Sequence, residues 1–210
     1  MNKKKKVIII FLILISTIIG IISMFFYIKS KHKNESPTKV IEVLDSINGF
    51  DYKLEDRDTE VYKTKFLELK ELLESEAIDY EKYASLLAEL FAIDLYTIDN
   101  KNSKYDVGSL DFIYPEEQDK FRNKVTNTIY KLVEDNSDNS RKQDLPIVSK
   151  TEIIDIKKTK YSKGEESFNA YNILLNINYE KDLGYDKRVS ITIIKDDNKM
   201  YVVSIKTDES

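Results

Sequence analysis

Residues Val7 to Ile28 read VIIIFLILISTIIGIISMFFYI, twenty-two consecutive positions without a charge. No other stretch restricts the fold as strongly, because inside lipid a helix is the only single-segment way to satisfy the backbone. At 1.5 Å per residue the block spans roughly 33 Å, enough for a hydrocarbon layer of about 30 Å. Lys3, Lys4, Lys5 and Lys6 precede it, and Lys29, Lys31 and Lys33 follow. The positive-inside rule favours a cytoplasmic N-terminus. A cleaved signal peptide would carry a shorter apolar region, about 7 to 15 residues, and a small-x-small cleavage site. Here the first alanine is Ala77, and there is no Cys to acylate. The expectation is a signal anchor in the cell membrane. It comprises a basic cytoplasmic tail over 1–6, a transmembrane helix through the lipid bilayer over 7–28, a polar linker over 29–39 and an extracytoplasmic domain over 40–210.

Composition narrows what that domain can do. Residues 29–210 hold 29 basic side chains against 37 acidic ones, a net of −8. Nucleic-acid binding requires a basic face, so it is not expected. The absence of Cys from the chain removes disulfides, thiol nucleophiles and thiolate metal sites. The single His, His32, lies in the linker and reads as a solvated juxtamembrane residue. Neither a Gly-rich phosphate loop nor a nucleophile elbow is present. An EF-hand loop counted from Asp99 would need oxygen ligands at its third and fifth positions and Gly at its sixth. Lys101, Ser103 and Lys104 stand there. No cofactor, no metal and no enzymatic activity are expected.

Periodicity supplies the layout. Val40 to Ile47 fits either a helix or a strand. Asn48-Gly49 then precedes the alternation of Phe50, Tyr52 and Leu54, a hairpin signal. Tyr62, Phe66, Leu69 and Leu73 recur at helical spacing. Asp79 suits the N-cap of a second, more apolar helix over Tyr83, Leu86, Leu87 and Leu90. A third helix is expected from Pro115, burying Phe121, Val125, Ile129 and Leu132. Glu134 to Pro146 reads as a polar loop within one domain. Strands follow: Ile147 to Tyr161 with Ile154 and Ile156 on one side, Tyr171 to Tyr179, Val189 to Ile193, and Tyr201 to Ile205. Their period of two, with one polar face, indicates an antiparallel meander covered on one side by the helices. The fold class is α+β.

Helices followed by a curved antiparallel sheet resemble the NTF2-like cone. With a short tail and one span in front, the plan is similar to the VirB8 and TcpC single-pass proteins of conjugation channels. The block LFAIDLYTIDNK from Leu90, with YDVGSLDFIYP from Tyr105, also resembles an uncharacterised family of anchored proteins of low-GC Gram-positive bacteria. The resemblance implies a scaffold or assembly module that contacts cell-envelope proteins or other copies of itself, with exposed edges such as Met200 to Lys206 as contact surfaces. The alternative is a small-ligand pocket inside the cone.

Polar detail is densest from Asp94 to Tyr114. Asp94 interrupts the most apolar helix; Asp99 and Asp106 follow, among Tyr96, Tyr105 and Tyr114. As a ligand-binding wall these six side chains would face a cavity, with Asp94 raised in pKa by burial and able to exchange a proton. Read structurally, Asp94 would bond a neighbouring loop backbone, Asp99 would end the helix and Asp106 would cap a turn.

Overall fold

A computed structural model describes residues 41–207, together with Ser23 and Met24, which are helical. The rest of the expected span and all of the linker lie outside the described residues. Among the described residues no helix is long and apolar enough to cross a membrane.

The chain enters through a hairpin, β1 (Val43–Ile47) paired antiparallel with β2 (Tyr52–Glu55). The ambiguous start is therefore a strand. Its turn is wider than a two-residue Asn-Gly reversal: Ile47 pairs with Tyr52, and the residues at positive φ are Gly49 and Asp51. Phe50 consequently sits in the turn rather than in the alternating strand.

Helix α1 (Glu60–Leu73) is capped by Thr59, whose side chain accepts from the Tyr62 amide. It buries Tyr62, Phe66, Leu69 and Leu73, the four positions its spacing predicts. Helix α2 (Tyr80–Tyr96) begins where expected, with the Asp79 carboxylate accepting from the Glu81 and Lys82 amides at 3.0 and 3.1 Å. Twelve of its seventeen residues are buried, which identifies it as the central element. It touches every strand of the main sheet and also packs on α1.

The third helix differs from expectation at both ends. Pro115–Glu117 form a 3-10 turn, and α3 (Gln118–Asn127) follows. Thr128 leaves helical geometry at φ −124°, ψ −91°, and the Tyr130 amide reaches back to the Val125 carbonyl at 3.0 Å. That wider turn shifts the phase. Tyr130 and Val133 become buried, Ile129 is half-buried, and Leu132, expected inside, is 79% exposed. Leu132→Ser should accordingly change stability by less than about 0.5 kcal/mol. Val133→Ala should lower it by about 1.5 kcal/mol or more. Urea denaturation of both variants checks the reassigned phase.

The main sheet has the order β3-β4-β5-β6, all antiparallel: β3 (Val148–Lys163), β4 (Glu166–Tyr179), β5 (Arg188–Asp196) and β6 (Lys199–Thr207). Ile173, Leu175 and Ile177 of β4 and Val189, Ile191 and Ile193 of β5 are buried in the core that α2 covers. On alternate positions Asn172 donates to Ser190 and Thr192 across the strands, so the other face carries a polar ladder. Ile154 is a correction. Ile153 pairs with Leu175 and Asp155 with Leu174, which leaves Ile154 as the extra residue of a β-bulge. The bulge inverts strand parity, so Ile153 and Ile156 reach the core while Ile154 is exposed. A bulge in β6 leaves Val203 as its extra residue.

Two edge features bear on the sites below. β4 pairs with β5 only from Ala170 to Asn176, so the far end of the β3–β4 hairpin continues as a two-stranded ribbon, a form that twists strongly. At the other edge Ile113 forms a single parallel bridge with Val202 of β6.

Candidate functional site

Asp94 lies near the end of α2 and faces the loop that follows. Its carboxylate accepts from the Lys101 ammonium and from the Ser109 amide, while the Ser109 hydroxyl donates to the Phe91 carbonyl at 2.8 Å. Lys101 is 1% exposed at its side chain and Asp94 16%, so this ion pair is largely shielded from water. Burial alone would push the Asp94 carboxyl up. The Lys101 charge, the Lys101 and Ser109 hydrogen bonds and the Arg57 charge overcome it and hold the group below the ordinary carboxylate range. The expected raised pKa is therefore corrected: Asp94 is a held anion.

The surrounding contacts are of the same kind. Asp106 accepts from Arg57 Nη1 at 2.5 Å and from the Asn102 amide at 2.8 Å, closing a turn. Arg57 also holds Glu55 at 2.8 Å. Arg141 donates to the carbonyls of Asp99 and Lys101 at 2.6 and 2.9 Å. Gly108 passes so close to α2 that a Cβ would lie 2.8 Å from the Asp94 carbonyl oxygen. Two arginines, one buried lysine and one obligatory glycine thus tie the loop down. The Asp99 side chain is exposed at the helix exit.

A small cleft of about 210 Å³ opens beside this knot, lined among others by Glu55, Asp58, Tyr62, Asp94 and Asp111. Burial pushes the Asp58 carboxyl up to about 6, aided by the Asp94 and Glu55 charges and opposed by the Glu55 amide and Lys101. Asp111 is raised too, chiefly by burial. Among the described residues no group of three or more His, Cys, Asp or Glu side chains could hold a metal ion. A folded pKa above the unfolded value means that the native state binds the extra proton. Asp58 therefore opposes folding at neutral pH, and the penalty fades as pH falls below about 6. Asp58→Asn should stabilise the domain by about 1 to 2 kcal/mol at pH 7.5, after discounting for partial exposure, with the gain shrinking towards pH 4. Urea midpoints of wild type and variant across that range test it.

The remaining predicted residues lie elsewhere. Tyr96 is buried and donates to Asp186 at 3.3 Å. Tyr105 is 68% exposed. Tyr114 alone among the six lines the larger cleft, about 780 Å³. The six side chains do not form one wall: Asp94 and Asp106 join through Arg57 and the loop, while Tyr96, Tyr105 and Tyr114 are dispersed.

The larger cleft is built from segments far apart in sequence. Its apolar lining includes Tyr114, Phe121, Tyr161, Phe168, Ile194 and Val202. The Tyr114 hydroxyl donates to Asp196 at 2.7 Å, and its ring meets Tyr201 edge-on at 4.8 Å. The bond to Asp196, then burial, push the Tyr114 phenol up to about 12. From the twisted ribbon, Lys163 reaches Glu117 at 3.3 Å and sits 5.3 Å over the Tyr114 ring. The ribbon tip therefore leans onto the 3-10 turn and closes one side. Sequence reasoning missed Lys101, Arg57, Lys163 and Phe168. Only Lys101 had a signal, since an Asp inside an apolar helix demands a cation nearby.

Comparison with protein-family models, with curated proteins and with solved structures finds no match to this chain.

Proposed function

We propose that the chain is a membrane-anchored extracytoplasmic assembly module that contacts cell-envelope proteins through the larger cleft. The observation carrying this reading is the cleft itself: about 780 Å³, open, with aromatic and aliphatic walls and a rim of lysines and glutamates. Interaction surfaces have that anatomy, an apolar centre within a polar rim. The uncharged block over 7–28, read as an anchor, would hold the domain at the outer face and raise its local concentration, so that weak contacts suffice. The order of helices and strands supports an NTF2-like plan of the kind used by single-pass conjugation-channel proteins. Binding rather than catalysis is proposed, because the two shielded carboxylates of the apolar helix α2 are engaged: Asp94 by Lys101 and the Ser109 amide, and Glu89 by Thr151 and Lys65.

The test is photo-cross-linking in membranes, with a photoreactive residue at Tyr114, at Phe168 or, as a control, at the exposed Leu132. A discrete adduct with one or two envelope proteins from the two cleft positions, absent from Leu132, is the expected result. No cleft adduct, under conditions that capture known membrane complexes, overturns the reading. The second reading, a small-ligand site, is favoured by the same volume, which falls in the range of ligand pockets. Native mass spectrometry of the purified full chain would then find a co-purifying small molecule that Tyr114→Ala releases.

A further inference from the structure

One wall of the larger cleft is unlike the others. β4 meets β5 only from Ala170 on, so beyond the rung of Thr159 and Ala170 the two strands of the ribbon pair with each other alone. Over 157–169 every residue is exposed except Tyr161 and Phe168. Those two are half-buried, are cross-strand partners, and line the cleft. Register puts them on one sheet face with Ile194 and Ser204. Phe168 stands two residues before Ala170, which pairs with Ile194, and Thr192, two before Ile194, pairs with Ser204. Ala170 and Ile194 are each 2% exposed yet stand outside the main core. Ile194 is thus a buried floor residue of the cleft, with the ribbon's aromatic pair on its side of the sheet.

The ribbon's tip reaches across the sheet. Tyr114 follows Ile113, which bridges Val202 on the side of β6 away from β5. From β4 to that segment is three strand spacings, about 14 Å of sheet. The tip spans it, setting Lys163 over the Tyr114 ring at 5.3 Å and against Glu117 at 3.3 Å, with Glu116 at 3.9 Å. At the root, Lys158 holds Glu81 of α2 at 3.0 Å. Among the described residues these are the polar side-chain contacts that 157–169 makes with other elements. A two-stranded ribbon is marginal by itself. An exposed ion pair and a cation–π contact together favour its closed position about tenfold. We infer that the ribbon is a hinged flap, bending at the rung of Thr159 and Ala170 and latched by Lys163, that must swing aside before a partner enters the larger cleft. The gating rests on the cleft being the contact surface; the hinge and the latch do not.

Closure hides the surface that a partner would bury. With the tip latched, Ile194 and Val202 are 2% exposed, and Tyr161 and Phe168 show only part of their rings. Swinging the ribbon outward uncovers Ile194 and the inner sides of both rings, an apolar centre of the kind that carries binding energy. A partner then selects the open form, and its apparent affinity is reduced by the fraction of chains that are closed. Weakening the latch therefore tightens binding, and pinning it prevents binding.

The test exploits the absence of Cys from the chain. In the full-length chain in lipid nanodiscs, Ile194→Cys places one thiol under the flap. Val189→Cys places one on the opposite face of the same strand, in the core. A charged maleimide should label position 194 roughly tenfold or more faster than 189, and roughly tenfold or more slower than the exposed Leu132→Cys. Adding Lys163→Gln should speed labelling at 194 about fivefold and leave 189 unchanged. Equal rates at 194 and 189, equal rates at 194 and 132, or indifference to Lys163→Gln overturn the flap. Hydrogen exchange repeats the comparison without a cysteine. Lys163→Gln should speed exchange over 159–169 about fivefold and leave 188–193 unchanged, and equal acceleration of both overturns the hinge. Gating is read by photo-cross-linking from Tyr114 in the Lys163→Cys/Glu117→Cys variant. A short bismaleimide that pins the tip should abolish the envelope adducts that the unpinned variant forms. Adducts that survive pinning overturn the gating and leave the assembly reading standing. Adducts missing from pinned and unpinned chains alike overturn the assembly reading, and the gating with it.

Discussion

Replacing Lys101 with methionine is expected to destabilise the domain by about 3 kcal/mol at pH 7, one of the two largest single-site effects foreseen for the chain. Removing one partner of a buried ion pair leaves the other charge desolvated without compensation, and such losses run about 3 to 5 kcal/mol. The lower end applies because Asp94 keeps its bond from the Ser109 amide. The Lys101→Met/Asp94→Asn double variant should recover part of the loss, since it removes the stranded charge. The pH dependence follows from the Asp94 carboxyl being held below its ordinary range in the native state. A depressed folded pKa adds stability above the unfolded pKa, and that stability is lost as pH falls through the folded one. Without Lys101, burial would raise the Asp94 carboxyl, so the variant relaxes on protonation. The gap between wild type and variant should be widest near pH 7 and narrow towards pH 4. Urea unfolding at a series of pH values measures it, and a gap independent of pH would remove Asp94 as the cause.

That knot follows the structural reading of the densest polar segment: Asp94 bonds the Ser109 amide of the neighbouring loop and Asp106 accepts from the Asn102 amide in a turn. Read along the chain alone, Asp94, Asp99 and Asp106 fit a lined cavity equally well. In the folded domain Asp94 and Asp106 fix a loop, through cations seven residues away and on the far side of α1 in sequence. No local pattern encodes those pairings. The helical faces of α1 and α2 were legible because their period and the Asp79 cap act within a few residues. The end of α3 was not, because the irregular backbone at Thr128 shifts the phase and exchanges Leu132 for Val133. The parity of β3 was hidden for a related reason: one bulged residue, Ile154, inverts the inside and outside of everything beyond it. The larger cleft was the least legible feature. Its walls come from the 3-10 turn, α3, the β3–β4 ribbon and β6, which meet only in three dimensions. Tyr114 was singled out for its place in the acidic and aromatic run, and it belongs instead to this other site.

Mutation of Tyr83 to phenylalanine should cost about 2 kcal/mol, although it removes one oxygen from the core and no apolar surface. The reason is a closed ring of hydrogen bonds around Met200. The Met200 amide donates to the Tyr83 hydroxyl at 3.3 Å, and the Tyr52 hydroxyl donates to the Met200 carbonyl at 3.0 Å. The two hydroxyls are 2.8 Å apart. Tyr52 spends its single proton on Met200, so Tyr83 donates to Tyr52 and the ring has one direction. Tyr52 and Met200 are fully buried, with no water to replace a missing partner. Tyr83→Phe orphans the Met200 amide, and Tyr52→Phe orphans its carbonyl; each leaves a desolvated group at about 1 to 3 kcal/mol. Once either member is gone the ring is open, so the double variant should lose at least 1 kcal/mol less than the sum of the singles. Met200 stands at the start of β6, and the ring ties that strand to β2 and α2. The edge strand β6 is thus held by its first residues. Hydrogen exchange of the Tyr83→Phe variant should rise tenfold or more over 199–207 while β3 and β4 change less. Uniform acceleration across the sheet would mean that the ring stabilises the domain without positioning the edge.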